Sequence, residues 1–236
     1  MFRHKGKART FTHNLRIASL LSFVAGIVNV AGFLAVQKLT TNVTGHFAFF
    51  TEEVMKMQFR ESANYFLFVL FFFLGSFFSN LSIEIVSKIN ERQTFKIPIL
   101  VESLILLALA IFGTQLIASA PNVLAYSLLF IMGLQNSLVT TISNAIVRTT
   151  HLTGLFTDLG IEISQLFFYK EKEQKQKLHS SIKLRLTIIN FFFLGGLVGG
   201  VLYASIKLYV LAFACVLLLG GLIYDNIKLK IMRYAR

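Results

Sequence analysis

Long apolar runs alternate with short polar stretches along this chain of 236 residues. Six of the runs reach the roughly 20 residues that an α-helix needs to cross a hydrocarbon core about 30 Å thick. Helices of a soluble bundle would each carry a polar face, whereas Leu67–Phe78, LFVLFFFLGSFF, has almost none. The pattern predicts an all-α membrane protein with six transmembrane helices. These lie at about Leu15–Val36, Ala63–Val86, Ile97–Ile117, Asn122–Val147, Ile182–Ile206 and Leu208–Ile227.

Two polar breaks interrupt this pattern, each directly after an apolar run. The first is TTNVTG, Thr40–Gly45, and the second is TTHLTG, Thr149–Gly154. Each leads into a segment that is too short or too polar for an ordinary span, namely Gly45–Phe59 and Gly154–Tyr169. In the second segment, Asp158, Glu162 and Gln165 fall on one helical face and apolar residues fill most of the rest. We therefore expect each break to be followed by a short half-helix or interfacial helix.

Charge gives the predicted helices a direction. Only 14% of the chain is charged, although the net charge is +12, and soluble domains are closer to a quarter charged. If the N-terminus is cytoplasmic, every Lys and Arg lies on the cytoplasmic side except Lys38, Lys56, Arg60 and Lys207. This distribution predicts that both termini are cytoplasmic. Attraction to anionic lipid headgroups accounts for the charge without a nucleic-acid partner.

Three features recur in the same order in the two halves of the chain. GIVN at Gly26–Asn29 matches GLQN at Gly133–Asn136, the two breaks match each other, and FFFLGS at Phe71–Ser76 matches FFFLGG at Phe191–Gly196. Each half carries three spans, an odd number, so the halves insert in opposite orientations as inverted repeats. We predict one transmembrane domain over residues 1–236. It contains repeat 1 at about 15–118, repeat 2 at about 121–228 and a solvated cytoplasmic linker at about 169–181.

The breaks and the polar residues within the spans are the candidate binding positions. Polar groups inside a membrane face protein or a cavity, threonines can cap freed backbone groups, and the start of the following helix offers N–H groups to an anion or polar solute. The candidate substrate-binding residues are Asn29, Asn136, Gln135, Thr41, Thr44, Thr150 and Thr153. The candidate sites of backbone breakage are Gly45, Gly154, Gly26 and Gly133. Alternatively, the breaks are capped surface turns, the asparagines bond neighbouring helices, and the glycines permit close packing.

Acidic residues allow a second hypothesis, which concerns coupling to ions. Glu53, Glu162 and Asp158 could bind a proton or cation, or could simply form the polar face of a surface helix. Glu102, in the first turns of its span, suits the positive end of the helix dipole. No histidine or cysteine stands at metal-ligand spacing from His46 or His151, and no phosphate-binding loop is present. The sequence thus indicates no enzyme, no metal and no cofactor.

The segments GIVNVAGFL, TTNVTGHFA, GLQNSLV and RTTHLTGLFTDLGIEISQLFF together resemble the YoaK family of bacterial multi-pass membrane proteins, a domain of unknown function. The resemblance extends from about Leu15 to Ile227. It implies six spans and a bacterial cell (inner) membrane, and it implies no substrate. Family members often carry Asp at the position of Asn29 and Asn at the position of His46. Because an amide cannot titrate, a proton-linked role of position 29 is not expected here.

Two hypotheses for function remain at this stage. In the first, the protein is a transporter or channel-like protein for an unidentified small solute, with a polar site at the interface of the two repeats. In the second, it is a non-transporting membrane scaffold or accessory subunit, in which the same residues serve helix packing. Both hypotheses make the lipid bilayer a partner and leave a homo-oligomer possible.

Overall fold

The computed structural model describes the backbone of residues 9–90 and 93–234. Over these residues the chain forms eight α-helices and one short 3-10 helix, with no strand. The α-helices are α1 (Phe11–Val36), α2 (Thr44–Met55), α3 (Phe59–Ile89), α4 (Lys96–Ser119), α5 (Pro121–Ser143), α6 (Leu152–Phe168), α7 (Lys172–Ile206) and α8 (Val210–Tyr234), and the 3-10 helix is Lys207–Tyr209. The all-helical class predicted from the sequence is confirmed.

Five helical stretches in the described part of the chain are long and apolar enough to cross a membrane. Four of them are α1, α3, α4 and α5. The fifth runs over 54 residues from Lys172 to Asp225, through α7, the 3-10 helix and much of α8. At Lys207 the backbone leaves the helical region, with φ 50° and ψ −134°. The fifth stretch therefore consists of two helices rather than one rod.

Contacts between helices fix their relative directions. Gly195 lies against Phe23 and Gly199 against Ile27, so α1 and α7 run parallel. In the second pair, the Tyr126 hydroxyl donates to Asn64 Oδ1 (3.0 Å), and further along both helices Ser76 Oγ donates to the Gly133 carbonyl (3.0 Å). Thus α3 and α5 also run parallel.

The remaining contacts make consecutive long helices alternate in direction. Lys38, just after α1, donates to the Tyr65 hydroxyl near the start of α3 (3.2 Å). Only Ala120 separates α4 from α5, and Leu208, just before α8, packs against Gly113 near the end of α4. Hence α1, α4 and α7 run one way, and α3, α5 and α8 run the other.

Basic residues gather at one end of the bundle. We call the end at which α1 begins the basic end and the opposite one the far end. The basic end carries Arg16, Lys88, Lys96, Arg148, Lys183 and Arg185, whereas the far end carries Lys38, Lys56, Arg60 and Lys207.

Glycines bring the parallel pairs into backbone contact. A Cβ on Gly26 would overlap the Phe192 carbonyl oxygen, and a Cβ on Gly133 would overlap the Phe72 carbonyl oxygen. Nevertheless, α1 and α5 continue as helices through these positions. The hypothesis that Gly26 and Gly133 break the backbone is therefore wrong, because their missing side chains serve close helix packing instead.

Several helix boundaries differ from those predicted, and two of these differences change the picture of the second break and of the linker. The fourth apolar run stops being helical at Ser143, because Asn144 and Ala145 adopt left-handed φ values of 55° and 63°. In contrast, α7 begins at Lys172, well before the predicted Ile182, and includes most of the expected solvated linker. Lys, Glu and Gln are good helix formers, and the Glu173–Lys177 ion pair (2.7 Å) joins adjacent turns there.

Candidate functional site

The first break folds back along α1 instead of leaving the bundle. Thr41 Oγ1 donates to Asn29 Oδ1 (2.7 Å), and Thr40 Oγ1 lies 3.5 Å from the Val28 carbonyl oxygen. At 1.5 Å of rise per residue, Asn29 lies about 10 Å before the end of α1. Both threonines are buried. The break is thus re-entrant, because the chain runs back beside α1 before α2 begins.

His46 fixes the start of α2. Its Nε2 lies 2.6 Å from the Leu39 carbonyl oxygen. Because a carbonyl only accepts, Nε2 carries the proton, and Nδ1 is left buried without a partner in the described structure. The imidazole packs 4.7 Å from the Phe68 ring, centroid to centroid. Burial lowers the pKa of His46, which keeps the ring neutral.

The second break repeats this arrangement at the basic end. Ser143 Oγ accepts from the Val147 N–H (2.9 Å) as the chain reverses after α5. Thr150 Oγ1 then accepts from Asn136 Nδ2 (2.7 Å). Asn29 and Asn136 precede the ends of their helices by the same number of residues. Asn136 Oδ1 also accepts from Thr149 Oγ1 (3.4 Å). Each break is therefore re-entrant by about 10 Å and is bonded to an asparagine of the long helix before it.

The short helix α6 packs on α7 and runs back toward the basic end. Near its end, Glu162 accepts from Ser181 Oγ (2.6 Å) and from Arg185 Nε (2.8 Å) on α7. One turn earlier, Asp158 forms an ion pair with Arg185 Nη1 (2.8 Å). Leu152, at the start of α6, lines a groove with Asn29 of α1. Thus α6 lies antiparallel to α7, and its N-terminus lies further from the basic end than its C-terminus.

Gln135 distinguishes the second break from the first. Its side-chain Nε2 donates to the Leu21 carbonyl (3.0 Å) and to Thr149 Oγ1 (3.2 Å). The carbonyl can only accept, so the amide cannot be flipped, and its Oε1 is left buried with no partner among the described residues. Val28 takes the corresponding position in the first repeat. A buried unpaired acceptor costs about 1–3 kcal/mol. Val28 leaves none at the corresponding position, and the unpaired acceptor beside the first break is His46 Nδ1 instead.

The remaining break residues lie at the starts of the short helices. Thr44 and Thr153 are exposed in the first turns of α2 and α6. Gly45 packs against the Leu39 side chain, and Gly154 packs against the His151 ring. Because glycine has no side chain, Gly45 and Gly154 leave room for Leu39 and His151.

The acidic candidates lie at opposite ends of the bundle and belong to separate ion pairs. Glu53 is 3.2 Å from Lys56 Nζ, and the hydrogen bonds that Lys56 donates to Glu52 and Glu53 raise the pKa of that amine. Glu162 and Asp158 share Arg185 instead. Sequence reasoning counted Arg185 only as a basic residue. The acidic face of α6 was a signal that a basic partner on another helix was needed.

Two cavities adjoin the breaks. A groove of about 800 Å³ between α1, α6 and α7 has Asn29 and Asn190 as its polar residues, among apolar side chains that include Leu152 and Phe156. A second cavity of about 490 Å³ at the basic end is lined by Arg148, His151, Asp158, Ser181 and Arg185 among others. An apolar core that includes Val24, Val28, Leu128, Ile131 and Met132 lies within the bundle. The structure therefore brings the candidate residues together within each break and keeps the two polar clusters apart.

Glu102 is the buried acid that sequence reasoning did not expect. The sequence places it in the first turns of its span, where the helix dipole favours a carboxylate, and the structure shows that its side chain is wholly buried in α4. Neither carboxyl oxygen has a hydrogen-bond partner in the described structure. Within the same described ranges, no group of three His, Cys, Asp or Glu residues is placed to hold a metal ion.

Comparison with known proteins gives a family without an assigned activity. The family model described as Protein of unknown function (DUF1275) matches residues 17–224. No curated protein and no solved structure matches the chain. The match covers both re-entrant breaks, the helices α2 to α7 and most of α1 and α8, and the chain belongs to the DUF1275 family.

Proposed function

We propose that the protein is a six-span transporter of a small polar solute in the bacterial cell membrane, built from two inverted repeats. The observation that carries this proposal is the pair of re-entrant breaks, each held by hydrogen bonds between one asparagine and the threonines of the break. Non-helical backbone at membrane depth is tolerated where it is buried in protein or lines a cavity. Interrupted helices of this kind form the binding sites of many transporters.

Matched contacts between the parallel helix pairs support the duplication. Gly26 on α1 meets Phe192 on α7, and the equivalent Gly133 on α5 meets Phe72 on α3. The same correspondence relates Gly75, which lies against Phe130, to Gly195, which lies against Phe23. In both pairs, a helix from one half contacts a helix from the other half. A symmetry operation that exchanges the two halves of the chain relates all four contacts.

The alternating helix directions and the basic end support the orientation. Six alternating crossings bring both termini to one side, and the positive-inside rule makes that side cytoplasmic. The first break then opens toward the outside and the second toward the cytoplasm. Because Thr40, Thr41 and Thr149 are buried, each break is closed in this structure.

The chemistry of the breaks suits an uncharged or weakly charged solute with N–H or O–H groups. Asn29 and Asn136 supply amides, and Gln135 Oε1 is an acceptor without a protein donor. The acids next to the breaks are already paired with Lys56 and Arg185, which disfavours them as ion-coupling groups. Opening of a break would exchange its asparagine–threonine bond for bonds to the solute.

A scaffold or accessory subunit is the second candidate, and one observation favours it. The asparagines bond threonines of their own breaks, and the residues between the two polar clusters include many apolar side chains. In this case, the breaks would be permanent structural turns.

Uptake by the full-length protein in proteoliposomes, preceded by a ligand screen based on thermal stabilisation, would separate the two candidates. Asn29→Leu and Asn136→Leu should abolish both solute-induced stabilisation and uptake. Asn80→Leu, on the exposed face of α3, is the matched control and should retain both. The scaffold function is favoured if the folded Asn29 and Asn136 variants transport as the wild type does, or if folded wild-type protein binds no solute.

Cysteine labelling tests the topology independently of any solute. Cys215, the only cysteine, is buried, so an introduced thiol can be followed cleanly. Thr44→Cys and Thr153→Cys should react with a membrane-impermeant reagent from opposite sides of the membrane. Labelling of both from the same side would contradict the inverted repeat.

A further inference from the structure

A surface groove between α1, α7 and α8 does not adjoin either break. It is lined by Arg16, Ser19, Leu20, Phe23, Phe191, Leu217 and Tyr224, and its volume is about 530 Å³. This volume lies within the range of about 300–1,000 Å³ that is typical of small-molecule sites. Phe191 and Tyr224 are 37% and 52% exposed, so the groove is open to its surroundings.

The groove is polar at one end only. Arg16 and Tyr224 lie toward the basic end, because α1 begins there and α8 ends there. From Arg16 to Phe23, and equally from Tyr224 back to Leu217, the helices extend about 10 Å into the apolar zone. The walls over this length are leucine and phenylalanine side chains and Ser19, whose hydroxyl donates to the Leu15 carbonyl of its own helix. A ligand that matches this groove needs an anionic or polar head at the basic end and an apolar chain running inward.

Arg16 is available for such a head. It makes no hydrogen bond or ion pair with the described residues, and its side chain is exposed. Nearby Asp225 already interacts within the structure and attracts Arg9. A guanidinium presents parallel N–H donors that match the oxygens of a phosphate. The Tyr224 hydroxyl adds a donor at the same end.

We propose that this groove is a binding site for an anionic phospholipid of the leaflet at the basic end, of the phosphatidylglycerol class. The phosphodiester bonds Arg16, and one acyl chain lies along Leu20, Phe23, Phe191 and Leu217. Because the groove contacts α1, α7 and α8 together, the bound lipid bridges helices of both halves of the chain. The site is independent of the solute path.

The test is lipid binding by the full-length protein in detergent, measured by native mass spectrometry and by the thermal unfolding midpoint. The probes are phosphatidylglycerol and phosphatidylcholine with identical acyl chains. Arg16→Gln should weaken phosphatidylglycerol binding about fivefold, as expected for one basic residue at an anionic surface. Lys183→Gln, an exposed lysine on α7 at the same end, is the matched control and should change nothing.

Three results would overturn the proposal. Equal binding of both lipids to the wild type would remove the anionic selectivity, and equal losses in Arg16→Gln and Lys183→Gln would indicate diffuse surface charge. Displacement of the lipid by excess glycerol 3-phosphate would indicate a site for a soluble phosphate rather than for a lipid. The phosphatidylcholine midpoint of Arg16→Gln reports whether that variant is folded.

Discussion

Replacement of Gly133 by alanine is expected to force α5 away from α3. The new Cβ would overlap the Phe72 carbonyl oxygen and would lie 2.9 Å from the Phe72 carbonyl carbon and 3.1 Å from its Cα. These are backbone atoms, which cannot rotate away as a side chain could. Overpacking costs about 1–3 kcal/mol, and the contacts with rigid backbone put this site in the upper part of that range, at about 2–3 kcal/mol. Alanine gains up to about 1 kcal/mol over glycine in helix propensity, so a net loss of about 1–2 kcal/mol remains.

The assay is thermal and denaturant-induced unfolding of the variants in one detergent. At about 2–4 °C per kcal/mol for a chain of this size, the midpoint should fall by several degrees. Gly26→Ala should behave similarly, because its Cβ would overlap the Phe192 carbonyl oxygen in the other parallel pair. Gly220→Ala is the control, since no atom lies within 4 Å of the Cβ it would add, and it should be neutral or slightly stabilising.

Two outcomes would refute this reasoning. If Gly133→Ala and Gly26→Ala both unfold like Gly220→Ala, the helices of the parallel pairs are not in backbone contact. If only one of them is destabilised, the two pairs are not equivalent, and the proposed duplication loses its main structural support.

Three further predictions concern buried and paired charges. Glu102→Met should raise the free energy of unfolding by about 1–3 kcal/mol, because it removes a buried carboxyl whose oxygens both lack a partner; a less stable variant in denaturant unfolding would contradict this. Arg185→Gln and Glu162→Gln should each weaken the packing of α6 on α7, because each removes the Arg185–Glu162 ion pair. A double-mutant cycle should give a coupling energy of about 1–2 kcal/mol, and high salt should reduce it. Strictly additive effects of the two substitutions would show that the ion pair does not hold α6 on α7. Burial lowers the folded-state pKa of His46 below its ordinary value of about 6.5, so the unfolded chain binds more protons and stability should fall as the pH decreases from about 7 to 5. His46→Gln should reduce the slope of the stability–pH curve in this range. An unchanged slope would show that another group causes the loss of stability.

Much of the fold could be predicted because a membrane imposes simple rules on a sequence. Apolar runs such as Phe71–Phe78 have no polar face, so they require an apolar environment on all sides. The polar breaks TTNVTG and TTHLTG stand out against such runs. Short helices after both breaks were expected, and α2 and α6 are found there.

Other features depended on partners that sequence patterns do not reveal. The stretch after Lys172 was expected to be a solvated linker because it is charged. It becomes helical because the Glu173–Lys177 ion pair between neighbouring turns and a run of good helix formers favour one long helix. Arg185 could be counted as a basic residue, but its pairing with both Asp158 and Glu162 needs the antiparallel packing of α6 on α7.

In the candidate site, too, some features could be predicted from the sequence and others depend on contacts between helices. Asn29 and Asn136 could be singled out because an amide within an apolar run needs a partner. That each amide bonds a threonine of its own break follows from the turns that carry the chain back about 10 Å along α1 and α5. Likewise, the unpaired Oε1 of Gln135 is apparent only in the packed bundle, where the Nε2 of the same amide donates to the Leu21 carbonyl of α1.

Local composition and periodicity therefore determine the helical class, the apolar runs, the charge bias between the two ends and the positions of the two breaks. Each of these follows from interactions with solvent or lipid, which a residue meets wherever its segment lies. The parallel pairing of α1 with α7 and of α3 with α5, and the return of each break into the bundle, follow from contacts between distant residues. Such contacts depend on backbone approach at Gly26 and Gly133 and on single hydrogen bonds, and their geometry is set only when the helices pack.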